Sequence, residues 1–143
     1  MPGKLTVAPA PPMLVIVPHV FVPPRNGGNI YSFKFCEFLQ QLRPLICYSA
    51  RNNHTGDLPF PLTRQIPDGK SKFINPKLMW SLYSFCKTHK IRECILSQPF
   101  YGMVALPVLR MLRIKAVVIV HNLEYQRFRS LGKWWWPLAY VIE

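Results

Sequence analysis

Residues 13–29 read MLVIVPHVFVPPRNGGN. The first five are all apolar, which predicts a strand buried on both faces of a sheet rather than a half-exposed one. A proline-rich segment follows, and Gly27 and Gly28 then give the backbone unusual freedom at a turn before a helix. A buried strand that leads through a turn into a helix is the repeating unit of α/β proteins.

Strands and helices alternate along the rest of the chain. Short apolar runs predict further strands at residues 45–48, 64–66, 93–97 and 114–120. Helices are expected after Gly28, from Pro76, over residues 100–112 and from about Lys133. The alternation predicts a Rossmann-like parallel sheet flanked by helices, with ligands bound at the carboxyl ends of the strands.

The predicted helices carry end signals and apolar faces. Pro44 ends the first helix, Asn75 and Pro76 form the N-cap and first position of the second, and Pro107 is expected to kink or shorten the third. The apolar residues of the first helix repeat at helical spacing: Tyr31, Phe35, Phe38, Leu39 and Leu42. Those of the second helix are Leu78, Met79, Leu82, Phe85 and Cys86.

Composition bounds the class of protein. The chain has 143 residues, of which 50% are hydrophobic, and we expect one globular domain over residues 13–143 behind a flexible leader at residues 1–12. The formal net charge of +12 favours an anionic partner. A nucleic acid, a phosphorylated small molecule and an acidic membrane surface all fit this charge.

Cysteine spacing and hydropathy indicate a compartment. The four cysteines form no C-x-x-C pair, so we expect buried free thiols in a reducing compartment rather than zinc ligands or disulfides. The apolar runs at residues 13–17 and 134–142 are too short for a signal peptide or a membrane-spanning helix. We therefore expect a cytoplasmic protein that can associate with the inner face of a membrane.

Two segments at the predicted carboxyl edge carry functional chemistry. Gly27 and Gly28 precede a helix whose first N–H groups can hold an anion, and an ordinary tight turn is the alternative. His121 follows the last apolar strand, with Asn122 and Glu124 beside it. This histidine can bond substrate hydroxyls or titrate near neutral pH, and a purely structural histidine is the alternative.

Basic and aromatic residues follow these motifs. Arg127, Arg129 and Lys133 can hold a phosphate or simply face water. Tryptophans at residues 134–136 would point in different directions on a helix, which favours either a membrane interface or packing against another part of the protein.

Together these motifs resemble the family 4 glycosyltransferases, which are retaining enzymes with two facing Rossmann-like domains. The resemblance rests on the first strand leading into Pro-Pro-Arg-Asn-Gly-Gly at residues 23–28, and on the strand at residues 117–120 that ends in His-Asn-Leu-Glu. The continuation at residues 125–129 and the tryptophan run are similar to a subset of the family. The match spans residues 13–143 and implies the N-terminal, acceptor-side half of a GT-B architecture.

The resemblance implies transfer of a sugar from a nucleotide-diphosphate sugar to a saccharide or lipid-linked acceptor. His121 would bond a hydroxyl of the reacting sugar as the catalytic residue, and the paired glycines would lie near the donor diphosphate. Asn122 and Glu124 would help to shape the acceptor pocket, and Arg129 would meet a charged acceptor. The implied substrate-binding residues are Gly27, Gly28, Asn122, Glu124 and Arg129. No metal and no cofactor besides the donor substrate are expected.

The sequence departs from the family in one respect. It shows no second-domain segment with a Glu-rich donor motif and a basic residue, although the leaving diphosphate needs positive groups. We therefore expect an incomplete domain that is inactive by itself and needs the missing C-terminal donor domain as a partner. The alternatives are a non-catalytic relic or scaffold of the same fold, and a basic nucleic-acid-binding module. Scattered basic residues and the lack of a recognition motif argue against nucleic acid.

Overall fold

The computed structural model describes residues 10–69, 72, 74–120, 126, 129–134 and 137. The strands are β1 (Met13–Val17), β2 (Leu45–Ala50), β3 (Leu62–Ile66), β4 (Glu93–Leu96) and β5 (Lys115–Val118). The helices are α1 (Gly27–Leu42), α2 (Pro76–Thr88) and α3 (Gly102–Met111), and a 3₁₀ turn at Pro99–Tyr101 precedes α3.

The five strands form one parallel sheet in the order β3-β2-β1-β4-β5. β1 is central, and its Val15 lies opposite Cys47 of β2 on one side and Ile95 of β4 on the other. This order confirms the Rossmann-like α/β fold that the alternation predicts. Because the strands are parallel, all their carboxyl ends lie along one edge of the sheet, here the carboxyl edge, and all their starts lie along the amino edge.

The hydrophobic core has two halves, one on each face of the sheet, because β1 is buried along its whole length. Leu14 and Ile16 belong to the half that includes buried residues of α2 and α3. Val15 and Val17 belong to the half that includes Cys36 of α1. Successive strand residues point to opposite faces, so β1 supplies both halves.

The second helix follows its sequence signals closely. Asn75 caps α2, since its Oδ1 accepts a hydrogen bond from the N–H of Lys77 at 3.0 Å, and Pro76 is the first helical residue. Leu78, Leu82 and Cys86 are buried on the predicted apolar face. The cap and the apolar face of this helix are therefore confirmed.

The first helix buries a different face from the predicted one. Its buried residues are Ser32 and Cys36, whereas Tyr31, Phe38 and Leu42 are exposed. The prediction of a core-facing stripe that includes these three is wrong. Short side chains at residues 32 and 36 allow the helix to lie close to the sheet, so the larger residues are left at its flanks and outer side.

Two further predictions concern the second half of the chain. Pro107 lies inside α3, and the helix continues beyond it to Met111 without being shortened there. The last predicted strand exists as β5, but all four of its residues are exposed, unlike those of the buried β1. Residues 1–9 of the expected leader and most of the helix expected from about Lys133 lie outside the described residues.

The four cysteines are free and buried, as expected. Burial raises the pKa of the Cys86 thiol to about 11, and it also raises the pKa of Cys47 and of Cys94. These thiols therefore remain protonated and unreactive near neutral pH. Within the described part of the chain, no helix has the length and apolar character needed to span a membrane.

Candidate functional site

Two loops at the carboxyl edge are joined by Asn53, which is buried in the β2–β3 loop. Its Oδ1 accepts hydrogen bonds from the N–H groups of Phe21 and Val22 at 2.7 and 2.8 Å. Its Nδ2 donates to the carbonyl oxygens of His19 at 3.2 Å and Ala50 at 3.1 Å. All four bonding positions of this amide are used, so the β1–α1 loop is fixed against the β2–β3 loop.

Further contacts hold the same pair of loops. The N–H of His54 donates to the carbonyl oxygen of Val22 at 3.0 Å. The ring of Phe21 stacks on the ring of Phe60, with centroids 6.3 Å apart and planes within 8°. Hydrogen bonds and an aromatic contact therefore hold the β1–α1 loop in place before the start of α1.

The α1 N-terminus leaves two donors unused. The Oδ1 of Asn26 accepts a hydrogen bond from the N–H of Asn29 at 3.0 Å, and the carbonyl oxygen of Asn26 accepts from Ile30 at 2.9 Å. The first N–H groups of a helix have no intrahelical acceptor. The N–H groups of Gly27 and Gly28 thus have no hydrogen-bond partner among the residues that the structure describes.

These two glycines are not required by the backbone. Both are helical residues, and neither has the positive φ that favours glycine, so the prediction that they give a turn unusual backbone freedom is wrong. A Cβ at Gly27 would have no heavy atom within 4 Å, and one at Gly28 would meet only Asn26 Oδ1 at 3.6 Å. The protein itself therefore gives no steric reason for glycine here, and the space above the two residues is open.

A cavity of about 660 Å³ lies beside this helix start. It is called the carboxyl-edge cavity, and its lining includes three arginines from three elements. Arg25 comes from the β1–α1 loop, Arg51 directly follows β2, and Arg64 belongs to β3. No aspartate or glutamate is among the described residues that line it.

The three arginines are available for a ligand. All three are exposed, and in the described part of the chain none forms an ion pair with a carboxylate. Asp68 accepts a hydrogen bond from the Nδ2 of the lining residue Asn52, so this carboxylate is engaged near the cavity. An unpaired group of guanidinium ions favours binding of an anion.

The strand order reverses between β1 and β4, which is where open α/β sheets commonly bind ligands. Ser97 follows β4 at this point, and its N–H donates to the carbonyl oxygen of Ile16 at 3.0 Å. The Ser97 Oγ is buried and has no hydrogen-bond partner among the described residues. The reversal point and the carboxyl-edge cavity lie on opposite sides of β1 along the sheet.

The site residues expected from the sequence are only partly described. Gly27 and Gly28 lie at the carboxyl edge, and their neighbours Arg25 and Asn29 line the cavity. Arg129 is an exposed residue of a short helical segment and does not line the cavity. His121, Asn122 and Glu124 lie outside the described residues, so their expected roles stay predictions.

Sequence reasoning missed the β2–β3 side of the site. Residues 49–73 are polar and rich in Gly, Pro and Asn, with no periodicity that predicts a functional role. β2 ends at Ala50, two residues later than predicted. A strand predicted to this length would have placed Arg51 and Asn53 at the carboxyl edge. Arg64 becomes a site residue only through the pairing of β3 with β2.

No group of three or more His, Cys, Asp or Glu side chains that could hold a metal ion occurs among the described residues. A scan against protein-family models found no match, and searches of curated proteins and of solved structures found none either.

Proposed function

We propose that this chain is the acceptor-side domain of a retaining glycosyltransferase, which transfers a sugar from a nucleotide-diphosphate sugar to a saccharide or lipid-linked acceptor. One observation carries the proposal: two helix-N-terminal glycines with unused N–H groups stand beside an arginine-lined cavity at the carboxyl edge. This edge is the ligand-binding edge of parallel α/β sheets.

The chemistry at the glycines suits a diphosphate. Free N–H groups at a helix N-terminus donate hydrogen bonds to phosphate oxygens, and the helix dipole favours negative charge at the same place. Because no side chain rises from Gly27 or Gly28, a diphosphate can approach the backbone closely. Fixed donors of this kind stabilise the charge that develops on a leaving diphosphate.

The proposed reaction also assigns roles to residues that follow β5 in the sequence. His121 follows β5 in the sequence and would bond a hydroxyl of the transferred sugar. Asn122 and Glu124 would contribute to the acceptor pocket, and Arg129 would meet an anionic group of the acceptor. The proposal also includes a cytoplasmic location at an anionic membrane surface, which the net charge of +12 supports.

The test is saturation-transfer-difference NMR of the chain with UDP-, GDP-, ADP- and dTDP-linked sugars. We expect at least one donor to receive saturation on its sugar protons, because this chain would contact the sugar and the diphosphate. His121→Ala should lower that saturation, because it removes a contact to the sugar. Failure of all four donor classes to bind would contradict the proposal.

A matched pair of outcomes separates the proposal from its alternatives. In a relic or scaffold of the same fold, the wild-type chain and His121→Ala would transfer the same saturation to the sugar protons of a donor. A nucleic-acid-binding module would bind a single-stranded oligonucleotide more tightly than any nucleotide sugar, with an affinity that falls steeply as salt rises.

A further inference from the structure

We infer that the carboxyl-edge cavity binds the phosphate group of a phosphorylated sugar. The role of this sugar as the acceptor rests on the proposed function, whereas the binding itself does not depend on it. The inference concerns Arg25, Arg51 and Arg64, which are separate from the donors of Gly27 and Gly28.

The first argument is electrostatic. Arg25 lies two residues before α1, and the positive end of a helix dipole disfavours a cation nearby. Arg51 and Arg64 add two further positive charges to the same cavity, and no carboxylate lines it among the described residues. Three like charges beside a helix N-terminus repel each other in the free protein, so a bound dianion would relieve this repulsion.

The second argument is the type of cation. All three are arginines, whose planar guanidinium groups each offer two parallel N–H donors to a phosphate. They come from three different elements, so their donors can approach one anion from several directions. A dianionic phosphate monoester has three terminal oxygens that can accept these bonds, whereas a carboxylate has two.

The third argument is rigidity. Asn53 uses all four of its hydrogen-bonding positions to join the loop that carries Arg25 to the loop that begins with Arg51. Arg64 is held by the pairing of β3 with β2, in which it lies opposite Ser49. The backbone positions of the three arginines are therefore fixed before a ligand binds, which lowers the ordering cost of binding.

The fourth argument is size and lining. The cavity volume of about 660 Å³ exceeds what a phosphate ion alone fills and lies in the range of small-molecule sites, about 300–1,000 Å³. Asn52 and Thr55 line it with amide and hydroxyl groups that suit sugar hydroxyls. Val20, which is exposed, offers an apolar surface for the face of a sugar ring.

Isothermal titration calorimetry at constant ionic strength tests this inference. The ligands are glucose 6-phosphate, glucose 1-phosphate, inorganic phosphate, glucose, and vesicles that contain phosphatidic acid as the lipid-borne monoester. We expect a sugar phosphate to bind at least about tenfold more tightly than glucose or inorganic phosphate, because phosphate and sugar both make contacts. Equal affinities for inorganic phosphate and the sugar phosphates, or binding to the vesicles alone, would overturn it.

Two double variants with the same net charge locate the binding. Arg51→Gln/Arg64→Gln should weaken sugar-phosphate binding at least about tenfold, since it removes two bidentate partners. Arg92→Gln/Arg113→Gln makes the same chemical change at a second basic cavity on the amino edge and should alter the affinity less than about twofold. Equal losses in both variants would show general charge attraction and overturn the inference.

A third variant guards against a folding defect. Arg25→Gln changes one exposed loop residue and should weaken binding about threefold while circular dichroism stays unchanged. The inference fails by itself if nucleotide sugars bind but sugar phosphates do not. The proposed function fails by itself if sugar phosphates bind at these arginines but no nucleotide sugar binds the chain.

Discussion

Two basic cavities of similar size lie on opposite edges of the same sheet, and they differ in the helix ends and the acidic residues beside their cations. The carboxyl-edge cavity has a volume of about 660 Å³ and the amino-edge cavity about 620 Å³. The amino-edge cavity is lined by five cations: Lys87, Lys90, Arg92, Arg113 and Lys115. The two volumes are nearly equal, and the number of cations alone would rank the amino-edge cavity higher.

Two of the five amino-edge cations lie at helix C-termini. Lys87 lies in the last turn of α2 and Arg113 follows the end of α3, so both are near the negative ends of helix dipoles. Glu93 lines the same cavity and forms an ion pair with Arg43. Lys87 and Arg113 therefore stabilise helix ends, and the amino-edge cavity has an acidic residue in its lining.

The carboxyl-edge arginines lie near a helix end of the opposite sign. They stand beside the positive end of α1, and no acid lines their cavity among the described residues. The sign of the local field, rather than the number of cations, therefore separates a candidate anion site from cations that stabilise helix ends.

The largest expected effect is on the rigidity of the carboxyl edge. Asn53→Ala should lower the free energy of unfolding by about 3 kcal/mol, because it leaves the buried N–H groups of Phe21 and Val22 without their acceptor. Asn75→Ala, which removes the exposed cap of α2, should cost about 1 kcal/mol. Urea unfolding measures both free energies. Equal losses in the two variants would show that the buried hydrogen bonds of Asn53 stabilise the fold no more than an exposed helix cap does.

Alkaline pH should destabilise the protein through the core behind the amino-edge cavity. The pKa of Cys86 rises from 9.0 to about 11 in the folded state, so the unfolded chain loses this proton first. The stabilisation is therefore complete below about pH 9 and is lost as the pH rises from 9 to 11. The difference between the free energies of unfolding in urea at pH 8 and at pH 10.5 measures this loss. The difference should be smaller in Cys86→Ala. A loss of the same size in that variant would rule Cys86 out as a cause.

A substitution at the start of α1 should change stability and ligand binding in opposite directions. Gly28→Ala should raise the free energy of unfolding by about 0.5 kcal/mol, because glycine is a poor helix former and the added Cβ has room. The same change should weaken binding of a nucleotide sugar, since the methyl group occupies the open space above the helix start. Thermal unfolding and ligand titration of one variant give both values. A loss of stability, or unchanged binding, would contradict the role given to the glycines.

The smallest effects test the sign of the field at each edge. Arg25→Gln should stabilise the ligand-free protein by about 0.3 kcal/mol, because it removes a cation near a helix N-terminus. Lys87→Gln should destabilise it by a similar amount, because it removes a cation from the last turn of α2. Both changes in the free energy of unfolding should be smaller at high salt. Changes of the same sign in the two variants would contradict the distinction between the two cavities.

Much of the fold was predictable from the sequence because buried parallel strands are short apolar runs. The run at Met13–Val17 and the Asn75-Pro76 helix start predicted β1 and α2 correctly. The buried face of α1 was not predictable, since the small residues at 32 and 36 are the buried ones, whereas Tyr31, Phe38 and Leu42 are exposed. Hydrophobic spacing reports that a helix has an apolar side, but close packing decides which residues face the core.

The candidate site was only partly predictable, because it is assembled from segments distant in sequence. Gly27 and Gly28 stand out locally as a pair after the first strand. Arg51 and Arg64 carry no local pattern and meet Arg25 only through the pairing of β1, β2 and β3. The net charge predicted an anionic partner, and the sheet topology brings the three arginines to one cavity.

The central claim is that the carboxyl-edge cavity, and not the amino-edge one, is the anion-binding site. The most direct test is a titration of ¹⁵N-labelled wild-type protein with glucose 6-phosphate, followed by NMR of the backbone amides and the arginine Nε–H groups. We expect saturable shifts at the Nε–H groups of Arg25, Arg51 and Arg64, with little change at Arg92 and Arg113. Shifts at the two amino-edge arginines that equal or exceed those of the first three would contradict the claim.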